Sequence, residues 1–256
     1  MNLTESQRAR VANPAFPRAG AYPAEFQFET MMGPNVLWLA EWASAALSLQ
    51  PGMRVLDLGC GKAASSIFIA QEFGATVWAA DLWIPPTDNW ARIQEAGLAE
   101  RVFPIHAEAH ALPFAEGYFD AIVSFDSYHY FGTDDLILGQ IARLLRPGGA
   151  LCIVSPGVTA ELPDGPPPHL VPYWDWQFGS FHTPDWWRRH WAKTGLVEVT
   201  RADWLEDGWR HWAGWSALCA GVGAGHNPEG GAREAEMLRL DAGRTLGFVR
   251  IVAHAR

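Results

Sequence analysis

A short apolar run, Val55-Leu56-Asp57-Leu58, stops at Gly59-Cys60-Gly61-Lys62-Ala63-Ala64, and this passage constrains the fold more than any other. Glycine has no Cβ, so it takes positive φ without penalty and lets backbone lie directly against a ligand. Gly59 and Gly61 are therefore expected at a contact. From 63 to 73 the residues Ile67, Phe68, Ala70 and Phe73 recur at helical spacing, and the helix they predict points its N-terminus back at the loop. Strand, glycine turn and helix make half of a βαβ unit. Such turns also join strands to helices in proteins that bind nothing, so the residues around it must decide what it holds.

With 256 residues, 49% hydrophobic and 18% charged, the chain suits one large domain with an ample core. A net charge of −9 with only 19 Lys and Arg, and no basic run, speaks against a nucleic-acid partner, since gripping phosphates needs clustered positive charge. Neither a signal peptide's apolar core at the N-terminus nor about 18 uninterrupted apolar residues anywhere is visible, so a soluble, cytoplasmic protein with no membrane partner is expected. Cys60, Cys152 and Cys219 are far apart and lack C-x-x-C spacing. They predict neither disulfides nor zinc. The histidines show no ligand spacing either, and no metal site is expected.

Apolar, β-rich segments at 53–58, 76–80, 102–105, 119–125 and 150–155 alternate with helical patterns at 63–73, about 89–96 and 134–145, the last with Thr133 as N-cap. That alternation predicts an α/β fold: a Rossmann-like sheet, parallel in the main, with helices on both faces. Right-handed crossovers place the loops after the strands along one edge. Ligands bind there, where the strand order reverses.

Each loop at that edge carries a residue suited to a nucleoside. Asp81 ends the second strand 24 residues after Asp57, close to the distance at which a carboxylate accepts both ribose hydroxyls. Leu82 and Trp83 follow and can cover an adenine face. Glu108 and Ala109 follow the third strand, where a carboxylate and a backbone N–H can read adenine's edge. Asp126, Ser127, Tyr128, His129 and Tyr130 follow the fourth. Three acidic residues at three consecutive strand ends are hard to dismiss as ordinary solvated loop carboxylates.

From 53 to 157 the chain resembles the class I S-adenosylmethionine-dependent methyltransferases, above all their small-molecule branch. The resemblance rests on Val-Leu-Asp-Leu-Gly-Cys-Gly at 55–61, Asp81, Ala-x-x-Leu-Pro-Phe at 109–114, Phe-Asp-Ala-Ile-Val-Ser at 119–124 and Leu-Leu-Arg-Pro-Gly-Gly at 144–149. It implies that Asp57, Gly59 and Gly61, with Cys60 between them, hold the methionyl end of S-adenosylmethionine, Asp81 the ribose, and Glu108 with Ala109 the adenine. Asp126 joins these cofactor residues. It also implies a seven-stranded sheet with an antiparallel strand at its edge, and S-adenosylhomocysteine as product. Ala63 stands where the family often has a third glycine, and Glu108 where aspartate is commoner. A nicotinamide dehydrogenase is the competing reading, because Gly59 to Ala64 also satisfies G-x-G-x-x-A. Asp57 opposes it: a carboxylate at the strand end repels a pyrophosphate and attracts an ammonium or sulfonium.

Methyl transfer is an in-line displacement by an N, O, S or C nucleophile, so the cofactor brings the activation and the protein must align and exclude water. If a base is used, His129 is the first candidate and His182 the second, because histidine titrates near neutrality; Tyr130 is a third catalytic candidate. Tyr128, Trp174 and Trp176 are expected to shape the acceptor pocket. Nine of the chain's 14 Trp lie between Trp174 and Trp215, and those at helical spacing suit packing better than binding. Helices are expected at 35–49, 184–194, around 209–215 and at 232–246, with a glycine-rich loop at 221–231 and an antiparallel pair at 197–202 and 248–253. The organisation is then a single domain: an N-terminal lid and first helix over 1–50, with Phe28, Glu29 and Met32 near the ligand; a cofactor core over 51–156; a proline-rich cap over 157–183; and a substrate half over 184–256. A small-molecule acceptor is the expected partner, and a homodimer is compatible with the sequence. Two other activities stay open: non-methyl chemistry on the same cofactor, such as cyclisation or aminocarboxypropyl transfer, and cofactor binding without catalysis.

Overall fold

The computed structural model describes residues 3–225 and 227–256. Three helices precede the sheet: α1 (Glu5–Val11), α2 (Ala24–Glu29) and α3 (Val36–Ser44). The first lies in a stretch for which no helix was expected, and its signal was local: Thr4 caps Gln7 N–H while the Gln7 side chain reaches back to Thr4, a capping box. Asn35 caps α3 by accepting from Leu37 and Trp38 N–H. That helix stops at Ser44, short of the expected 49.

The sheet core follows as β1 (Arg54–Leu58), α4 (Ala64–Phe73), β2 (Thr76–Asp81), α5 (Pro86–Glu95), β3 (Val102–His106), β4 (Phe119–Phe125), α6 (Ile137–Ala142) and β5 (Leu145–Val158). After it come α7 (Pro184–Ala192), β6 (Val197–Trp204), α8 (Gly208–Val222), α9 (Pro228–Asp241) and β7 (Leu246–Ala255). The seven strands form one sheet in the order β3-β2-β1-β4-β5-β7-β6. Only β7 runs antiparallel, bonded to β5 on one side and to the edge strand β6 on the other. The strand order therefore reverses between β1 and β4, and the C-terminal ends of those two strands flank the switch point.

Alternation along the central strands builds two cores. Val55, Val77 and Val123 face α3, α4 and the N-terminal helices. Leu56, Leu58 and Ile122 face α6 and α7, where Trp187 and Trp191 are fully buried. The tryptophans at helical spacing are thus mainly packing residues.

Three boundaries differ from the expected ones. Strand β5 begins at Leu145 rather than 150, because Gly148, at φ +73, and Gly149, whose added Cβ would meet Arg146 O at 2.9 Å, let the chain join the ladder through a register shift opposite Phe119 and Ala121. Helix α6 begins at Ile137, not 134, and Thr133 does not cap it: the Asp134 side chain accepts Leu136 N–H in a local turn, while Asp135 is taken by Lys193. Helix α9 begins at Pro228 inside the expected loop, with the Asn227 side chain accepting Gly230 N–H.

Candidate functional site

The main cavity, about 340 Å³, opens at the C-terminal ends of β1, β2 and β4. Its floor is the glycine turn. Gly59 and Gly61 both have positive φ, +74 and +53, and a Cβ on Gly59 would lie 1.8 Å from Ser127 Oγ, one on Gly61 2.7 Å from Met32 Sδ. Glycine alone fits both positions without displacing these side chains. Ala63, which replaces a third glycine, sits at φ 62, just before α4.

Asp81 lies at the rim, 8% exposed. One carboxylate oxygen accepts Gly61 N–H at 2.7 Å and the other accepts Trp83 and Ile84 N–H at 2.7 and 2.9 Å. The side chain thus ties the turn after β1 to the turn after β2, and it presents its remaining lone pairs to the cavity. Asn89 on α5 holds the same turn by donating to Gly61 O at 2.9 Å.

Asp57 is deeper. It is fully buried, does not line the cavity, and its Oδ2 accepts the hydroxyls of Ser65 and Ser66, each at 2.6 Å. Its Oδ1 has no partner among the described residues. Burial pushes its carboxyl up to about 6, against the pull of the two hydroxyl bonds. Asp57 therefore anchors the first turn of α4 beneath the loop, and its field rather than its contact reaches the cavity.

The roof comes from the N-terminal segment. Residues 30–37 line the cavity together with Gln27 and Trp215. Lys62 Nζ donates to Glu29 O at 2.8 Å and Met31 O at 3.3 Å, clamping the roof to the glycine turn. Trp215 on α8 donates its Nε1–H to Gly33 O at 3.0 Å and stacks face to face on Phe28, 5.2 Å between centroids. Gly33 is required where it is: a Cβ there would fall 2.6 Å from Asp126 Oδ2.

The sequence-predicted cofactor residues Gly59, Cys60, Gly61, Asp81, Leu82, Trp83, Glu108, Ala109 and Asp126 all line this cavity. Glu108 is already paired, its Oε1 2.6 Å from His110 Nδ1. The acceptor-side expectations divide differently. Tyr130 and Met32 line the cavity, whereas Phe28, Glu29, Tyr128, Trp174 and Trp176 do not. Phe28 supports Trp215 from behind; Glu29 contributes its carbonyl to Lys62. Tyr128 is fully buried between Trp187 and Trp191. Trp174 packs edge-on against Phe178, and Trp176 is 83% exposed.

The two candidate histidines are also elsewhere. His129 is 3% exposed, packs on Tyr130 and Phe181, and does not line the cavity; burial pushes it down to about 3, so it stays neutral at working pH. His182 stacks on Trp186 at 3.6 Å and bonds Glu161 through Nδ1 at 2.8 Å, also outside the cavity. Tyr130 remains at the mouth. Burial and the fields of Asp126, Asp175 and Glu234 push its hydroxyl up to about 12, which makes it a hydrogen-bond donor rather than a base. Gly33, Lys62, Phe131 and Trp215 were not foreseen, because the contacts that bring 33 and 215 together span 182 positions. Among the described residues no group of His, Cys, Asp or Glu could hold a metal ion, and no helix is long and apolar enough to cross a membrane.

Residues 55–149 match the model of a methyltransferase domain. Methyltransferase GfsG of Streptomyces halstedii is 34% identical over 119 residues, 46% of this chain and 43% of that protein; the chain spans about half the length of the curated relatives it matches. A structure described as a sarcosine dimethylglycine methyltransferase from Galdieria sulphuraria superposes with TM-score 0.68 at 21% identity, covering 85% of each chain. The [4+2]-cyclase SpnF superposes with TM-score 0.70 at 16% identity, covering 97% of this chain and 94% of that one. At such identities these two structures establish the shared fold.

Proposed function

We propose that the chain, whose residues 55–149 match the model of a methyltransferase domain, belongs to the class I S-adenosylmethionine-dependent methyltransferase superfamily and transfers a methyl group from S-adenosylmethionine to an N, O or C atom of a small-molecule acceptor. The observation that carries this reading is the joint geometry of the glycine turn and Asp81, two strand-end loops tied together by the 2.7 Å bond from Gly61 N–H at the switch point of the sheet.

The residues fit that cofactor. The cavity over Gly59 and Gly61, where an added Cβ would collide with Ser127 or Met32, would take the methionyl arm, with Cys60 beside it. The unpartnered Oδ1 of buried Asp57 supports positive charge above the turn. Asp81 would accept the ribose hydroxyls, Leu82 and Trp83 would cover one adenine face, and Ala109 with Glu108 would meet its edge; all five line the cavity. When bound, the cofactor supplies a sulfonium whose methyl is open to in-line attack and whose leaving group is a neutral thioether. The chain's part is alignment and dryness: the roof at 30–37, held by Lys62 and Trp215, closes the cavity over the reacting end. Tyr130 donates a hydrogen bond there and takes no proton. No base within the chain is required unless the nucleophile must shed a proton.

Calorimetric titration with S-adenosylhomocysteine tests the proposal, with micromolar binding expected and no heat at high micromolar concentration overturning it. Turnover with methylthioadenosine as product instead of S-adenosylhomocysteine would move the chain to non-methyl chemistry.

A further inference from the structure

One acidic side chain of the cavity, Asp126, has no cationic partner among the described residues. Among the described residues, five acidic or basic side chains line the cavity: Lys62, Asp81, Glu108, His110 and Asp126. The first four are engaged with backbone or with each other. Asp126 accepts no side-chain hydrogen bond among the described residues. It stands directly after β4 at φ 53, a left-handed conformation that costs a non-glycine residue energy and is sustained only where the surroundings impose it. Its own N–H is fixed to Val154 O at 2.9 Å, so the turn is held by the sheet. The roof leaves room for the carboxylate by having glycine at 33.

Behind it lies a second acid. Glu234 on α9, bonded to Ser216 at 2.6 Å, acts on Asp126 electrostatically, and both carboxyls are pushed up, first by burial. Asp126, Asp175 and Glu234 all act on the Tyr130 hydroxyl, and no cation is among the groups acting there. Lys62, the cavity's lysine, has its ammonium bound to two roof carbonyls. Tyr130, Phe131 and Trp215 give the same end aromatic surface, which attracts a cation through the ring quadrupole. Asp126 therefore favours a cation over an anion, because a bound cation draws its carboxyl back toward the charged form.

We infer that the acceptor carries an ammonium group, bound by the Asp126 carboxylate and flanked by Tyr130, at a position other than the attacking atom, since an ammonium nitrogen has no lone pair with which to take the methyl. This inference rests on the reading of the cavity as a methyltransferase site but goes beyond it, since that reading leaves the acceptor's chemistry open. Asp126 is then the specificity-determining residue, with Glu234 behind it adding field rather than contact.

The test uses three probes of nearly one shape: choline, its neutral isostere 3,3-dimethylbutan-1-ol and the anion 3,3-dimethylbutanoate. Each is titrated calorimetrically into protein saturated with S-adenosylhomocysteine. Choline is expected to bind about tenfold or more tightly than the alcohol, which corresponds to about 1.4 kcal/mol, and the anion more weakly still. In Asp126→Asn, a replacement that tolerates the left-handed backbone, the preference for choline should fall to about twofold or less while affinity for S-adenosylhomocysteine stays within about threefold. The inference is overturned by absent choline binding, by equal binding of choline and the alcohol, by a preference that survives Asp126→Asn, or by a matching loss of S-adenosylhomocysteine affinity, which would make Asp126 a cofactor residue. Wild-type protein that binds no S-adenosylhomocysteine refutes the proposed function instead; the choline preference, measured on the same protein without it, still decides this inference.

Discussion

At the scale of single residues, the two glycines of the turn are not equivalent. A Cβ on Gly59 meets Ser127 Oγ at 1.8 Å and Ser127 Cβ at 2.6 Å, whereas one on Gly61 meets the end of the flexible Met32 side chain at 2.7 Å. Gly59→Ala should therefore abolish S-adenosylhomocysteine binding, and Gly61→Ala should weaken it by about tenfold, since Met32 can swing aside; calorimetry that ranks them the other way would refute the packing argument. Asp57 and His129 have opposite pH signatures. The Asp57 carboxyl rises from 3.8 to about 6, so its burial costs nothing below pH 3.8 and the full penalty, about 3 kcal/mol, above pH 6. Asp57→Asn should gain stability over wild type between those pH values in urea melts. His129 falls from 6.5 to about 3, so it contributes fully above pH 6.5 and progressively less as the pH drops. His129→Phe should then be the less acid-labile protein. Asp81, Gly59 and Gly61 were legible because strand, turn and spacing fix them locally. The sequence could not exclude His129 and Tyr128, whose loop position looked right: which side of a loop faces a cavity is decided by what packs against the other side, here Phe181 and Trp191.

Among the elements, the roof is the instructive case. The proline-rich stretch at 157–183 reads as a cap, yet it supplies no residue to the cavity lining; it packs toward α9, where Arg233 bonds Pro172 O and lies over Tyr173, and His169 bonds Asp241. The roof is instead the segment from Gln27 to Leu37, held to the floor by Lys62. Lys62→Met should raise hydrogen exchange across 24–35 and weaken S-adenosylhomocysteine binding by about three- to tenfold, with the sheet's protection unchanged. Unaltered exchange in that segment would show that Trp215 and Asn35 hold the roof alone. Some boundaries were written in the sequence in capping language, as with Thr4 to Gln7 and Asn227-Pro228. Others, such as the early start of β5, depend on a register shift against β4 that only the neighbouring strand defines.

For the whole molecule, the C-terminal half is locked to the cofactor half through Arg250. This nearly buried guanidinium on β7 makes paired bonds to Asp203 at 3.0 and 2.7 Å, donates to Trp42 O on α3 at 2.6 Å and lies over the Trp42 ring. Arg250→Met should cost about 3–5 kcal/mol in urea unfolding, because Asp203 and the Trp42 carbonyl lose their partner together; a loss below 1 kcal/mol would contradict that role. By itself the sequence determined the α/β class, the seven strands and the floor of the site, because periodicity, glycine turns and strand-end acids act through neighbours a few residues away. Tertiary structure alone decided what closes over that floor and what charge the acceptor meets. Gly33, Asp126, Trp215 and Glu234 come from four separate segments, and their meeting depends on how β7, α8 and α9 pack back onto the sheet. The turn at 59–61 predicts a ligand from local sequence, whereas the proposal for the acceptor rests on Asp126, whose surroundings only the fold assembles.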